Sequence, residues 1–258
     1  MADALYWITG ALSGGLVGFI LGLIGGGGSI LSVPLMVYVV GVTSPHVAIG
    51  TSALAVAANA FAGLMNHARK GAVKWPCGLV FSAAGVAGAL AGSTVGKNFD
   101  GQKLLFLFAL LMIVVAVLML RGKGRISDPG VQLSKDNAPR LVGTGAATGL
   151  LSGFFGIGGG FLIVPSLLAS TRMPIINAVA TSLVAVTAFG IATAANYALS
   201  GLVDWGLALV FIGGGVIGTL LGAALSRKLA SGMALTRIFA AVVIATALYM
   251  LWQSVSAM

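Results

Sequence analysis

Two glycine-rich motifs carry the strongest chemical signal in this sequence. Their residues are Gly25, Gly26, Gly27, Gly28 and Ser29 in the first half of the chain, and Gly156, Gly158, Gly159 and Gly160 in the second. A glycine turn that opens a helix leaves backbone N–H groups without partners, and the helix dipole adds partial positive charge there. We therefore expect the two motifs to hold an anion. The alternative is that the glycines only allow close helix packing.

Polar side chains at a helical spacing form a second candidate group. Three of them are seven residues apart in the first half, so they share one helix face, and similar residues recur in the second half. The group consists of Thr51, Ser52, Asn59, Asn66, Thr181, Ser182 and Asn196. We expect them to line the path of a solute, because an idle Asn is costly to bury in a membrane. Ser and Thr often bond to their own helix backbone, which is the structural alternative.

His67 suggests proton coupling, because it adjoins Asn66 and histidine titrates near neutral pH. A histidine at the membrane interface is the alternative reading of this position. The sequence has a single cysteine and contains no metal-binding histidine motif, no nucleophile elbow and no Walker-type lysine. We therefore expect neither an enzyme nor a bound cofactor or metal.

The composition places the chain in a bilayer. Its 258 residues are 59% hydrophobic and 7% charged, with no Glu, which is too little polar surface for a soluble domain. The net charge of +9 comes from residues in short loops between apolar segments, so it indicates topology rather than nucleic-acid binding. The expected partners are a small anion and lipid. The first segment has no basic region ahead of it and should not be cleaved as a signal peptide.

The two halves of the chain are copies of each other. At a shift of 131 residues Gly18 matches Gly149, and at a shift of 130 Trp75 matches Trp205. We predict an all-α membrane protein with one repeat at 1–121, a cytoplasmic linker at 122–139 and a second repeat at 140–258. Small residues on one helix face predict tight packing at Gly85, Gly88 and Gly92 and at their copies Gly215, Gly218 and Gly222.

Each half contains five apolar segments. The predicted limits are 6–24, 29–41, 47–65, 76–95 and 104–120, then 141–155, 161–171, 175–199, 205–225 and 234–252. Because about 20 residues are needed to cross the hydrocarbon core, the second segment of each half is too short and should be broken or re-entrant. We expect the two glycine breaks to approach each other near the membrane midplane, where an inverted pair of repeats places its solute.

Lys and Arg indicate the orientation, because cytoplasmic loops are enriched in them. With five crossings per half and the linker inside, twelve of the fourteen basic residues lie inside, and only Lys97 and Lys103 lie outside. Four crossings per half leave almost no bias. An odd number of crossings inserts the second half upside down, so we predict inverted repeats with both termini in the periplasm.

The stretches GLVGFILGLIGGGGSILSVPLM and GLLSGFFGIGGGFLIVPSLL, each followed by a TS helix start and a turn with Asn, Gly and Trp, resemble the sulfite exporter TauE/SafE family of membrane transporters. The resemblance covers nearly the whole chain. It implies transport of sulfur-containing or other small organic anions across the bacterial inner membrane. In the first motif Gly26 and Ser29 stand where the second has Ile157 and Gly160, so the two half-sites need not be chemically equal.

The predicted spans contain no carboxylate in their interior, which favours export by alternating access without a coupling ion. A cell interior negative by about 100 mV drives each negative charge outward with roughly 2.3 kcal/mol. An anion channel of the same architecture is one alternative. A membrane-embedded assembly factor or enzyme is another, and it predicts a cluster of ionisable residues that the sequence lacks.

Overall fold

The computed structural model describes residues 2–24, 26–121, 133–134, 137–156, 160–226 and 233–256. All regular structure within these ranges is helical. The elements are α1 (Ala2–Ile24), α2 (26–40), α3 (Pro45–Ala68), α4 (Trp75–Lys97), α5 (Gly101–Arg121), α6 (Ala138–Phe155), α7 (Gly160–Thr171), α8 (Ile175–Ala198), α9 (Trp205–Ser226) and α10 (Met233–Ser256).

The short element α2 has mixed helical geometry. It begins as a 3₁₀ helix over Gly26–Leu31, passes through one α-helical turn at Ser32–Pro34 and ends as a π-helix over Leu35–Val40. Glycine lowers the preference for α-helix at its start, and Pro34 cannot donate a backbone hydrogen bond. The sequence of α2 therefore opposes a regular α-helix at two points.

The predicted segments match the helices of the structure. Each of the ten segments corresponds to one element, and the predicted and observed ends differ by at most four residues. Most of the predicted linker at 122–139 lies outside the described residues, but its last two residues already belong to α6.

Six helices are long and apolar enough to cross a membrane: α1, α3, α4, α5, α8 and α9. Their outward faces carry large apolar side chains, for example Leu79, Leu209 and Leu221, which are 56%, 71% and 60% exposed. Such faces need lipid rather than water around them. The described part of the chain is therefore a multi-pass membrane protein.

The helices of the two halves make equivalent contacts. The most extensive contacts join α1 to α9 and α4 to α6, and equivalent helices meet each other in the pairs α3 with α8, α5 with α10 and α2 with α7. Exchanging each helix for its counterpart in the other half returns the same set of pairs. The packing thus repeats the duplication seen in the sequence.

Glycines form the closest of these contacts. A Cβ at Gly18 of α1 would overlap the backbone of Gly215 in α9, and a Cβ at Gly149 of α6 would overlap the backbone of Gly85 in α4. The predicted packing role is confirmed for the glycines of α4 and α9, namely Gly85, Gly88, Gly92, Gly215, Gly218 and Gly222. Only residues without a side chain allow two helix backbones to approach this closely.

The central helices α3 and α8 run antiparallel. A Cβ at Gly63 would lie 3.4 Å from Leu183 Cδ1, and a Cβ at Gly190 would lie 2.8 Å from the Cβ of Ala57. Both helices end in the same turn, in which Gly71 and Gly201 take φ values of +66° and +70° that favour glycine. Equivalent turns therefore lie at opposite ends of the α3–α8 pair.

The short helix α7 folds back along α6. The hydroxyl groups of Thr148 and Ser166 are 3.1 Å apart, and those of Thr144 and Ser170 are 2.9 Å apart. Because the numbers rise on one helix and fall on the other, the two helices form an antiparallel hairpin. In the first half, Gly41–Ser44 after α2 share a cleft with Tyr6 near the start of α1.

Candidate functional site

The second glycine motif lies against the first turns of α3. Helix α6 ends at Phe155, and Gly156 has a φ of +65°, a left-handed conformation that favours glycine. Its carbonyl oxygen accepts a hydrogen bond from Ser52 Oγ at 3.3 Å, and Ser52 also donates to the carbonyl of Ile49 at 3.0 Å. Gly156 and Ser52, both predicted site residues, are therefore brought into direct contact.

The first glycine motif folds back onto the helix that precedes it. A Cβ at Gly28 would come within 2.8 Å of Leu21 Cα, so close packing is the observed requirement at this glycine. Ser29 is fully buried, and its carbonyl accepts a hydrogen bond from Ser32 Oγ at 2.7 Å. Gly26 and Gly27 belong to the same 3₁₀ helix, and Gly160 is the buried first residue of α7. Gly25, Gly158 and Gly159 lie outside the described residues.

The flanks of the two breaks lie at different depths along α3. A Cβ at Gly156 would lie 3.0 Å from Ile49 Cβ, whereas Leu21, which packs against Gly28, lies 3.9 Å from the Cβ position of Gly63. Ile49 and Gly63 are about 21 Å apart at 1.5 Å per residue. The expectation that the two breaks approach each other near the midplane stays a prediction, because Gly25, Gly158 and Gly159 lie outside the described residues.

The length of the preceding helices explains this difference. Helices α1 and α6 continue for 23 and 18 residues before they end, which carries each of them nearly to the far end of α3. The short helices that follow do meet, because α7 packs against Gly26–Leu31 of α2.

Asn59 lies near the middle of α3 and is fully buried. Its amide covers Gly215 of α9, where a Cβ would come within 2.7 Å of Asn59 Oδ1. Neither Oδ1 nor Nδ2 has a hydrogen-bond partner among the described residues. An unpaired buried amide costs about 1–3 kcal/mol, so this residue needs an explanation beyond packing.

Asn196 has a full set of partners at the end of α8. Its Nδ2 donates to Ser93 Oγ at 2.6 Å and to Thr94 Oγ1 at 2.9 Å. Its Oδ1 and its backbone carbonyl accept from Lys97 Nζ at 2.8 and 3.0 Å, and the same ammonium donates to Ser200 Oγ at 2.8 Å. This network joins α8 to α4. Its counterpart Asn66 is half-buried near the opposite end of the α3–α8 pair.

The two predicted threonines occupy equivalent positions at helix starts. Thr51 Oγ1 accepts a hydrogen bond from the backbone N–H of Asp204 at 2.9 Å, and Thr181 Oγ1 accepts one from that of Lys74 at 3.0 Å. Each hydroxyl thus satisfies an N–H just before α9 or α4. Ser182 is fully buried and donates to the carbonyl of Val179 in its own helix at 2.8 Å.

Residues 10–250 match the family model described as "Sulfite exporter TauE/SafE". The chain belongs to this family. Over 246 residues it is 54% identical to a "Probable membrane transporter protein" of Xylella fastidiosa strain 9a5c, with 94% of each chain covered. It is 31% identical to the "Probable membrane transporter protein YunE" of Bacillus subtilis strain 168, which covers 84% of this chain and 86% of the relative. No solved structure matches the chain.

Membership in the TauE/SafE family, together with the six apolar helices, identifies a multi-pass membrane transporter. The polar side chains that face the interior of this transporter are neutral. Among the described residues, the fully buried polar side chains are those of Ser, Thr and Asn. His67 lies half-buried in the last turn of α3, beside Arg69 and Lys70, and its role in proton coupling stays a hypothesis.

The structure adds two features of this TauE/SafE protein that the sequence did not indicate. Thr219 of α9 is fully buried, and its hydroxyl has no partner within the described ranges. Tyr6 donates a hydrogen bond to Asp204 at 3.0 Å beside an open cleft of about 260 Å³. Thr219 could have been found by comparing the repeats, because its counterpart is Ala89.

Proposed function

We propose that this TauE/SafE protein is a secondary transporter that exports small sulfur-containing oxyanions, such as sulfite or sulfonates, across the bacterial inner membrane by alternating access. The family description supports the substrate class. The main support for the proposal is that the two halves make equivalent helix contacts around α3 and α8. When two equivalent halves exchange conformations, the site between them opens first to one side of the membrane and then to the other.

The contacts of α3 and α8 support an inverted arrangement of the halves. These helices are equivalent in the repeat yet run antiparallel, as the contacts of Gly63 and Gly190 require. Asn177 Nδ2 at the start of α8 donates to the carbonyl of Ala72 beyond the end of α3 at 2.7 Å. In our proposal the second half is therefore upside down relative to the first.

The distribution of charge supports the orientation. The turn after α3 carries Arg69 and Lys70, whereas the equivalent turn after α8 carries Leu199 and Ser200. Since cytoplasmic loops are rich in Lys and Arg, the turn after α3 faces the cytoplasm and both termini face the periplasm. The linker at 122–139 is then cytoplasmic.

The tight glycine contacts define the moving bodies in this proposal. Helices α1 and α9 touch through their backbones, and so do α4 and α6, which leaves neither pair room to slide. Each pair moves as a rigid unit against α3 and α8. The buried Ser52, Asn59 and Ser182 on these central helices supply neutral hydrogen-bonding groups to the solute.

Flux measurements in liposomes test this function. The purified protein is reconstituted, and the movement of labelled sulfite is followed with and without unlabelled sulfite on the opposite side, with protein-free liposomes as the baseline. A transporter gives saturable flux that is accelerated by counterflow. Flux that rises linearly with concentration and shows no counterflow would instead identify an anion channel. If cations or neutral solutes moved and sulfur oxyanions did not, the substrate class would be wrong.

A further inference from the structure

We propose that Asn59 and Thr219 form a binding subsite, present in only one half of the repeat. It selects oxyanions that have an O–H donor of their own, such as hydrogensulfite, over anions that have none. This inference rests on the proposed function and narrows its substrate class. It starts from three buried polar atoms that have no partner in the described part of the protein: Oδ1 and Nδ2 of Asn59, and Oγ1 of Thr219.

Asn59 and Thr219 face the same seam between α3 and α9. The amide of Asn59 lies over Gly215, and one helical turn further along, Thr219 Cγ2 lies 3.4 Å from the Cβ position of Gly63. Both polar residues are fully buried. Each of them therefore faces a glycine on the opposite helix, and at Gly63 the side chains of Leu183 and Leu21 border the same space at 3.4 and 3.9 Å.

The equivalent seam in the other half lacks the amide, and its buried polar residue is Thr193 at the position of Gly63. Phe189 takes the place of Asn59 and Ala89 takes the place of Thr219. Phe189 packs on Gly85 and stacks against Phe81 with ring centroids 6.0 Å apart. Since the same backbone arrangement is filled there by a phenyl ring, helix packing does not require an amide at this position. The amide of Asn59, and its pairing with Thr219, are found in one half of the repeat alone.

The unsatisfied atoms specify the chemistry of the ligand. Nδ2 can only donate a hydrogen bond, Oδ1 can only accept one, and a threonine hydroxyl can do both. An oxyanion that retains one O–H accepts from Nδ2 and donates to Oδ1. A sulfonate or a fully deprotonated anion has no donor, so Oδ1 would stay unpaired and would face a negative oxygen.

The neutral surroundings also favour a single negative charge. The fully buried polar side chains described for the protein are all uncharged, so no buried cation can offset a second negative charge. Hydrogensulfite meets both requirements, because it carries one charge and one acidic proton. Asn59 is closed to solvent in this structure, and the movement of α9 away from α3 in the transport cycle gives the anion access.

A pair of substrates with the same charge tests this selectivity. Hydrogensulfite and methanesulfinate are both monoanions, but a methyl group replaces the O–H in the second. In reconstituted liposomes at mildly acidic pH, we expect the wild-type protein to prefer hydrogensulfite by about tenfold in kcat/KM. We expect Asn59→Leu to reduce that preference to within about twofold, because leucine removes the donor and the acceptor together.

Two further variants keep the test decisive if Asn59→Leu does not fold. Thr219→Val is isosteric and should lower the preference by about threefold. Thr193→Val is the matched control, because Thr193 is also fully buried with an unpartnered hydroxyl, but it lies in α8 on the other half of the repeat. We expect it to leave the preference unchanged.

The possible outcomes separate this inference from the proposed function. A wild-type preference that survives both Asn59→Leu and Thr219→Val, or a wild-type protein that transports both anions equally well, would overturn the inference alone. A wild-type protein that moves no sulfur oxyanion would overturn the proposed function and the inference with it.

Discussion

The α1–α9 and α4–α6 interfaces are nearly identical, whereas the seams beside them differ. Gly18 meets Gly215 in one interface as Gly149 meets Gly85 in the other, backbone against backbone. In the neighbouring seams, the two halves carry Asn59 and its counterpart Phe189. The repeated contacts hold the fold together, whereas Asn59 and Phe189 make different contacts in otherwise equivalent seams.

The largest expected effect comes from the repeated glycine contacts. Gly18→Val and Gly149→Val should each lower the stability by more than about 3 kcal/mol, because an added side chain overlaps a facing helix backbone. Unfolding in mixed detergent measures this loss. Gly213→Ala and Gly143→Ala are matched controls, because their Cβ positions have no atom within 4 Å. A large effect in only one half would break the equivalence of the two interfaces.

The two asparagines near the helix ends should differ in their effect on stability. Asn196→Leu should cost about 2 kcal/mol, because it removes one acceptor of the Lys97 ammonium and the amide donor that joins α8 to the hydroxyls of Ser93 and Thr94. Asn66→Leu should change stability by less than about 0.5 kcal/mol. The same unfolding assay compares them. Equal losses would mean that the two ends are held together in the same way.

The threonines at the helix starts should be equivalent. Thr51→Val and Thr181→Val each remove the acceptor of one backbone N–H, so each should cost about 1 kcal/mol. Transport assays on the same samples then test the predicted binding role. If transport falls far more than stability does, the threonines contact the solute. If both change together, the hydroxyls serve as helix caps alone.

The smallest expected difference concerns the two serines. Ser52→Ala should cost about 1 kcal/mol, because Ser52 joins α3 to the carbonyl of Gly156 in the second glycine motif. Ser182→Ala should cost less than about 0.5 kcal/mol, because the bond described for Ser182 stays within α8. Thermal unfolding of the pair measures the difference. A larger loss of stability for Ser182→Ala than for Ser52→Ala would mean that Ser182, and not Ser52, makes the stabilising contact with another helix.

The sequence predicted the helices well, because apolar length together with Gly and Pro indicates where they begin and end. The packing glycines were also predictable, since four-residue spacing aligns small residues on one face. How far α1 and α6 continue along α3 was not predictable, because it depends on how these helices pack against it. The network of Asn196 was not predictable either, because its partners come from α4, about a hundred residues earlier in the chain.

Asn59 was predicted as a site residue from its spacing to Ser52 and Asn66, but the spacing did not distinguish it from them. The structure distinguishes the three, because Ser52 has partners, Asn66 is half-buried, and Asn59 is fully buried with its amide unpaired among the described residues. Its contact with Gly215 also depends on how α3 and α9 pack. The binding role of Asn59 stays a prediction, which transport measurements on Asn59 variants test.

Thiol labelling from each side of the membrane tests directly whether the two halves are inserted in opposite directions. Cys77 is buried, and Cys77→Ala removes the only native thiol. In that background, Lys70→Cys and Ser200→Cys place single thiols in equivalent exposed turns after α3 and α8. With a membrane-impermeant reagent, we expect Lys70→Cys to react only from the cytoplasmic side and Ser200→Cys only from the periplasmic side. Labelling of both from the same side would contradict the inverted repeat.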